Sequence, residues 1–262
     1  LNKNKKITLS TKSICKNMLQ MISYRGPDEN KVLNHNDFSC GVTRLAIESV
    51  INGEQPLEND KYIAGFNGEI FNYKDLIKSY GFTKEINSEI KLILKLYDLK
   101  KSNFVHELKG QFAIFIYDKK SEEIFLFRDR YGIRPIYYFF KKNCFLFGSE
   151  IKTIISSKVE NFTLNQSSLE NTALFWTNIC DNSSIKNIKV LQPGYYLRIR
   201  NNKISTTRYF INPILNKQKY NSSLNKVDFL EKFQKAIKNQ IHGEVGHACY
   251  LSGGIDSAAL AF

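Results

Sequence analysis

Four short apolar segments between Gly110 and Glu150 constrain the fold of this 262-residue chain more than any other feature. They are "GQFAIFIYD" (110–118), "EEIFLFRD" (122–129), "RPIYYFF" (134–140) and "NCFLFGSE" (143–150). Each is rich in β-branched and aromatic residues and too short for a buried helix, so each reads as a strand. The links between them are a few residues long, and "DKKSE" (118–122) is a hairpin-type connection. Parallel neighbours need a crossover of a dozen or more residues, so these strands form an antiparallel meander.

The flanking sequence fits one α+β domain with helices packed on antiparallel sheets. "FSCGVTRLAIES" (38–49) and "KYIAGFNGEIFN" (61–72) read as further strands, joined by the polar loop "VINGEQPLEND" (50–60). Residues 12–23 place Ile14, Met18 and either Met21 or Ile22 at helical spacing, with Ser10 or Thr11 as cap. Residues 88–99 form a second helix with Ile90, Ile93, Leu94 and Tyr97 on one face. "RGPDEN" (25–30) cannot continue a helix and is a fixed turn. Residues 157–190 are asparagine-rich and irregular, and 191–210 read as a hairpin turning at Asn201-Asn202. Residues 211–226 are a polar linker. From 227 a helix with Phe229, Leu230, Phe233, Ile237 and Ile241 on one face leads to a strand, "ACYL" (248–251), a glycine loop and a second helix. That order begins an α/β domain.

Composition excludes several function classes. The formal charge of +13 comes from 38 basic and 25 acidic residues scattered along the chain, often adjacent, as in "KKSEE" (119–123). With no arginine-rich stripe and no nucleic-acid motif, this reads as a solvated basic surface with no nucleic-acid partner. It also suits an anionic nucleotide. No apolar run approaches bilayer length, and the basic start leads into no signal-peptide core, so no membrane role and a cytoplasmic location are expected. The five cysteines lack C-x-x-C spacing and the four histidines form no ligand pattern, which argues for reduced thiols and against a zinc site.

"SGGIDS" (252–257) is the clearest chemical signal. Consecutive glycines let several backbone N–H groups face one anion, and the following helix N-terminus adds donors. Leu251, Ser252, Gly253, Gly254, Asp256 and Ser257 are the candidate phosphate-binding residues. Asp256 would repel a phosphate unless a Mg²⁺ lay between them, so it is the candidate metal ligand. Serine and aspartate are also ordinary helix caps. No Gly-Lys-Ser/Thr follows, so this is not a Walker A loop.

The loop resembles the PP-loop of ATP pyrophosphatases, which adenylate a carboxylate and release pyrophosphate. Upstream, "YRGPDEN" (24–30), "TRLAIES" (43–49), "FNGEIFNY" (66–73), "GQFAIFIYD", "FRDRYGIRPIYY" (127–138), "FGSEIKTI" (147–154) and "LQPGYYL" (191–197) resemble, in order, signature segments of class II glutamine amidotransferases of the asparagine synthetase type. The resemblance covers essentially the whole chain. It implies an N-terminal-nucleophile αββα glutaminase sandwich at 1–210, a linker at 211–226 and the start of an ATP-binding synthetase domain at 227–262.

It also implies a glutamine site. Arg44 would grip the substrate carboxylate, assisted by backbone groups near Ile47 and Glu48. Asn67 and Gly68 match the oxyanion-hole pair, one side-chain amide and one backbone N–H. Glu69 would accept from substrate N–H groups. Read alone, "NGE" is a hairpin turn; beside the other matching segments it reads as the site. The charged residues of "RDRYGIRP" read as scaffold near the domain interface, and Arg25 and Asp28 as structural.

Two features depart from the pattern. The family nucleophile is a cysteine at the mature N-terminus, with its own α-amine as base, whereas this chain begins "LNKNKK". Cys15 lies within the first helix and is not a substitute. The expectation is a fragment lacking about one strand of 5–8 residues, inactive by itself. In "EINSEI" (85–90), Asn87 stands where the family's ammonium-binding aspartate is expected; it is also a candidate N-cap.

The resulting expectation is an ATP- and Mg²⁺-dependent amidotransferase that passes glutamine-derived ammonia to an acyl-adenylate, with aspartate as default acceptor and a homodimer compatible with the sequence. The alternatives are a β-lactam-synthetase-like ligase with a non-catalytic first domain, or an amino-acid-binding regulatory module.

Overall fold

Alternation along the central strands sorts their side chains to two faces. The computed structural model describes residues 10–83, 86–142, 144–178, 181–213, 225–241 and 243–261. A six-stranded antiparallel sheet runs in the order β11 (Lys203–Arg208), β10 (Tyr195–Arg200), β6 (Glu123–Arg128), β5 (Gly110–Asp118), β4 (Tyr62–Ile70), β3 (Leu57–Glu58). Ala64, Phe66, Phe112, Ile114, Ile116, Phe125 and Phe127 point to one face. There they meet Leu76 and Ile77 of α2 (Tyr73–Ser79) and Ile90, Ile93 and Tyr97 of α3 (Glu89–Lys100).

The opposite face carries Ile63, Ala113, Phe115, Tyr117, Leu126, Leu197 and Ile199. It packs on a second layer made of two smaller antiparallel sheets. One pairs β1 (Glu29–His35) with β2 (Phe38–Arg44) and supplies Phe38 and Cys40. The other has the order β8 (Cys144–Gly148), β7 (Tyr137–Lys141), β9 (Ile188–Val190) and supplies Tyr138. Outside that layer lie α1 (Thr11–Gln20), packed on β1 and β2, and α4 (Ile151–Ser156), packed on β7 and β8. Helices, sheet, sheet, helices is the expected αββα order.

Local chemistry explains the boundaries. Ser10 caps α1 by accepting the Ser13 N–H at 3.2 Å. Half-buried Ile14, Cys15, Met18, Leu19 and Ile22 face inward, while Met21 is exposed. The predicted helix 12–23 ends at Gln20, and a 3-10 turn, Ser23–Arg25, follows. Asn201 and Asn202 both take positive φ, 47° and 58°, as the tight hairpin turn between β10 and β11 requires.

Several expectations are corrected. The predicted strand 38–49 ends at Arg44, because the next residues leave the β1 ladder to form a loop. Residues 157–190 are not wholly irregular: Gln166–Phe175 is a helix, α5, of which only Ser168 is buried. "ACYL" forms no strand. Tyr250 is fully exposed and Cys249 is exposed, and no described residue offers that segment a ladder. α6 (Lys226–Gln240) begins where a helix is expected, capped by Asn225 accepting the Val227 N–H, but buries no residue. Of the linker at 211–226, residues 214–224 lie outside the described residues. No described helix is long and apolar enough to cross a membrane.

Candidate active site

The turn before β1 fixes Arg44. A Cβ on Gly26 would lie 2.3 Å from the Arg44 nitrogen, so only glycine lets the two backbones approach this closely. Pro27 then bridges to Arg44, and the Asp28 N–H donates to the Arg44 carbonyl at 3.2 Å. The Asp28 carboxylate accepts the Ala46 N–H at 2.8 Å. Arg25 pairs with Glu150 at 2.9 Å. Burial would raise the Glu150 carboxyl, but hydrogen bonds from Tyr24, Arg25 and Lys152 hold it at about 2. Arg25 and Asp28 are therefore structural.

Arg44 curls the following loop around itself. Its guanidinium donates to the carbonyls of Ser49 at 2.7 Å and Val50 at 3.2 Å, and reaches Glu48's carbonyl at 3.5 Å. Glu29 lies 4.0 Å away. This loop presents Ile47, Glu48 and Ser49 to a cavity of about 730 Å³ that opens beside β4 and runs between the two sheet layers.

β4 supplies the facing wall. Asn67 and Glu69 share the inward parity of Ile63, and all line or border the same inter-sheet space. The Asn67 side-chain nitrogen is buried without a hydrogen-bond partner. An orphaned buried donor costs about 1–3 kcal/mol, so it marks a position built for an acceptor that a ligand brings. Gly68 has φ +132°, and a Cβ there would lie 1.9 Å from the Gln111 carbonyl oxygen. The kink is thus restricted to glycine, and the "NGE" segment is a wall of the cavity within β4 rather than a hairpin turn.

The structure separates Asn87 from this group. Asn87 is exposed, and its side-chain oxygen accepts from Lys91 at 2.7 Å. The N-cap position of α3 belongs to Ser88, so Asn87 neither caps the helix nor lines the cavity. Glu89 does line it. Its Oε1 accepts the Ile70 N–H at 2.7 Å. Burial pushes its carboxyl up to about 8, the Ile70 hydrogen bond opposes this, and Glu48 and Glu69 raise it further. A carboxylate whose neighbours at i+3, i+4 and i+7 are Leu92, Ile93 and Leu96, all fully buried, signals this inward position in the helical spacing.

Three cysteines line the cavity, and all are poor nucleophiles. Burial pushes the Cys15 thiol up to about 11, and the Cys40 and Cys144 thiols up as well. The thiolate is the reactive form.

"RDRYGIRP" buttresses the far side. Asp129, fully buried, accepts the N–H groups of Tyr131, Ile133, Arg134 and Phe112 at 3.0, 3.1, 2.9 and 3.3 Å. Arg128 donates to the carbonyls of Arg134, Leu191 and Gly132. The Gly194 N–H donates to the Asp129 carbonyl at 2.9 Å, tying "LQPG" to the same knot. These residues are scaffold.

The glycine loop lies apart, exposed along Leu251–Asp256. Gly253 has φ +81°, and a Cβ there would meet nothing within 4 Å. Ser252 and Ser257 hydroxyls are 3.0 Å apart, and Ser257 donates to the Gly254 carbonyl at 3.0 Å. Asp256 sits in the first turn of α7 (Ile255–Ala261). Hydroxyls, open glycine backbone and one carboxylate fit a phosphate with Mg²⁺ held through it. One carboxylate alone does not hold the ion, and no cluster of three metal-ligating side chains occurs among the described residues.

A chain with this sandwich and this cavity matches, over residues 3–210, the family described as the glutamine amidotransferase domain, and it belongs to that family. Residues 228–262 match the asparagine synthase family. The chain is 34% identical over 263 residues to asparagine synthetase (glutamine-hydrolyzing) 2 of Bacillus subtilis (strain 168), covering 95% of this chain and 35% of that protein. It is 30% identical to asparagine synthetase (glutamine-hydrolyzing) 3 of the same organism, covering 98% and 43%. The chain thus spans 35% to 43% of the length of these relatives. A solved structure titled as the allosteric regulatory enzyme of purine biosynthesis aligns with TM-score 0.49 and 18% identity, over 66% of this chain and 35% of that one.

Proposed function

We propose that the protein expressed from its complete reading frame hydrolyses glutamine at this cavity and delivers the ammonia to a carboxylate activated by ATP, with aspartate as acceptor. The observation that carries the glutamine reading is the buried, unpartnered Asn67 amide beside the Gly68 kink, opposite Arg44 and Glu89. When a nucleophile attacks the glutamine amide, its carbonyl oxygen becomes an oxyanion. Asn67 Nδ2 and the Gly68 N–H are the donors that meet it, and fixed donors need no reorganisation as charge develops. The nucleophile is not one of the three cavity cysteines.

In this reading Glu89, not Asn87, faces the substrate ammonium, with Glu48 and Glu69 adding negative potential. Ile47 and Glu48 belong to the loop that receives the substrate carboxylate. Leu251, Ser252, Gly253, Gly254 and Ser257 would hold the ATP phosphates through backbone N–H and hydroxyl donors, and Asp256 would share a Mg²⁺ with them. Mg²⁺ there neutralises phosphate charge during adenylate formation. The four described cysteines are free thiols, which suits action in the cytoplasm.

The test is release of glutamate from glutamine together with aspartate-dependent release of pyrophosphate from ATP. Pyrophosphate release without glutamine hydrolysis would instead favour a ligase with a non-catalytic first domain. Absence of both would leave an amino-acid-binding module.

A pH dependence follows from Glu89. Its raised carboxyl is mostly protonated at pH 7 in the empty site, and a bound ammonium favours the ionised form. Ligand binding therefore releases a proton below about pH 8. Glutamine affinity should rise from pH 6 to 8 by up to about tenfold per unit, the limit for one released proton. Glu89→Gln should flatten the profile. For the empty domain the sign is opposite: stability falls as pH rises from the usual carboxylate range towards about 8. Titration calorimetry and thermal melts over that range check both.

A further inference from the structure

The segment that leads into the glycine loop touches the glutamine-side loop at Gly243 and Glu244. The Glu244 N–H donates to the Ile47 carbonyl at 2.9 Å, and the Glu244 carboxylate accepts the Val50 N–H at 3.0 Å. The preceding Gly243 takes φ +135°, and a Cβ there would stand 3.3 Å from the Ile47 carbonyl and methyl. Glycine is what allows so close an approach in that conformation. The clasped loop, Ile47 to Val50, is the one Arg44 holds from below through the Ser49 and Val50 carbonyls. Glu244 itself stands eight residues before Ser252, the first residue of "SGGIDS".

We infer that Glu244 is a positioning residue that holds the glutamine loop in its cupped form and couples that loop to the segment carrying the phosphate site. The carboxylate touches no reacting atom. It fixes Val50 and Ile47, and through them the Glu48–Ser49 stretch that faces the cavity. A charge-assisted bond to a backbone N–H is stronger than a neutral one, and the paired backbone bond makes the contact two-pronged. A phosphate-site ligand that shifts the segment must alter the loop, and by linkage a ligand in the glutamine cavity must alter phosphate-site affinity by the same factor.

This inference rests on the glutamine reading above. Its test uses the protein from the complete reading frame and L-glutamate, the hydrolysis product, as a probe that is not turned over. Glu244→Ala should weaken glutamate binding about fivefold or more, as expected for losing one charge-assisted bond at an exposed position. Glu244→Gln keeps an acceptor oxygen for Val50 and should stay within about twofold of the parent, which a purely charge-based effect would not allow. Saturating ATP with Mg²⁺ should change glutamate affinity at least about threefold in the parent and leave the alanine variant unchanged, a modest coupling for two sites. Unchanged glutamate affinity in Glu244→Ala would overturn the positioning role. Equal nucleotide effects in parent and variant would overturn the coupling. A parent that binds neither glutamine nor glutamate would overturn the glutamine reading itself, and this inference with it.

Discussion

Asn67→Ala lowers the rate of glutamine hydrolysis by about two to three orders of magnitude, the usual loss for one oxyanion donor. The KM for glutamine should move little, because the Asn67 amide meets charge that exists only along the reaction. Stability should not fall in parallel. The Asn67 nitrogen is already buried without a partner, so alanine removes an unsatisfied donor and strands none. Steady-state kinetics beside a denaturant melt separate the two effects. A rate loss below about tenfold would exclude Asn67 from that role.

Asp129→Ala should be the most destabilising single change near the site, at about 3–5 kcal/mol. Four backbone N–H groups converge on this fully buried carboxylate. Alanine strands all four together, each worth about 1–3 kcal/mol before the turn relaxes. Arg128 would also keep its half-buried guanidinium beside a turn it no longer holds, since its acceptors include Gly132 and Arg134 of that turn. Asp129→Asn retains an acceptor oxygen and should cost less than half as much. Urea denaturation of both variants checks this, and equal losses would show that charge, not the count of accepted N–H groups, sets the cost.

How much of this was legible in the sequence depended on whether a segment's environment left a period in it. β4, β5 and β6 are buried on both faces yet flanked by clear turn residues, so their strand character was plain. β1, "ENKVLNH", is half-buried and polar, with no alternation to read. α5 escaped because one serine is all it buries. "ACYL" misled in the opposite sense: its residues favour strands, but a strand needs a neighbour, and Tyr250 lies open to solvent. In the site, Arg44, Asn67, Gly68 and Glu69 followed from resemblance and are brought to one cavity. Asn87 also followed from the resemblance, as the place of an aspartate, but α3 begins at Glu89, one residue later than expected, with Ser88 in its N-cap position. The phase of α3 then turns Glu89, not Asn87, towards Ile70.

One property of β4 reaches beyond the site. Asn67 and Glu69 occupy the same parity as Ile63, whose side chain belongs to the inter-sheet core, while Phe66 and Ile70 belong to the helix-side core. A slip of one residue would send Asn67 under α3 and turn the Phe66 side chain from the helix-side core to the inter-sheet face. It would also move the glycine-only contact with Gln111 onto Asn67 or Glu69, where a side chain cannot fit. Strand register thus acts as a quality check on chemistry: a wrongly paired domain is penalised in packing at the same step that disarms it.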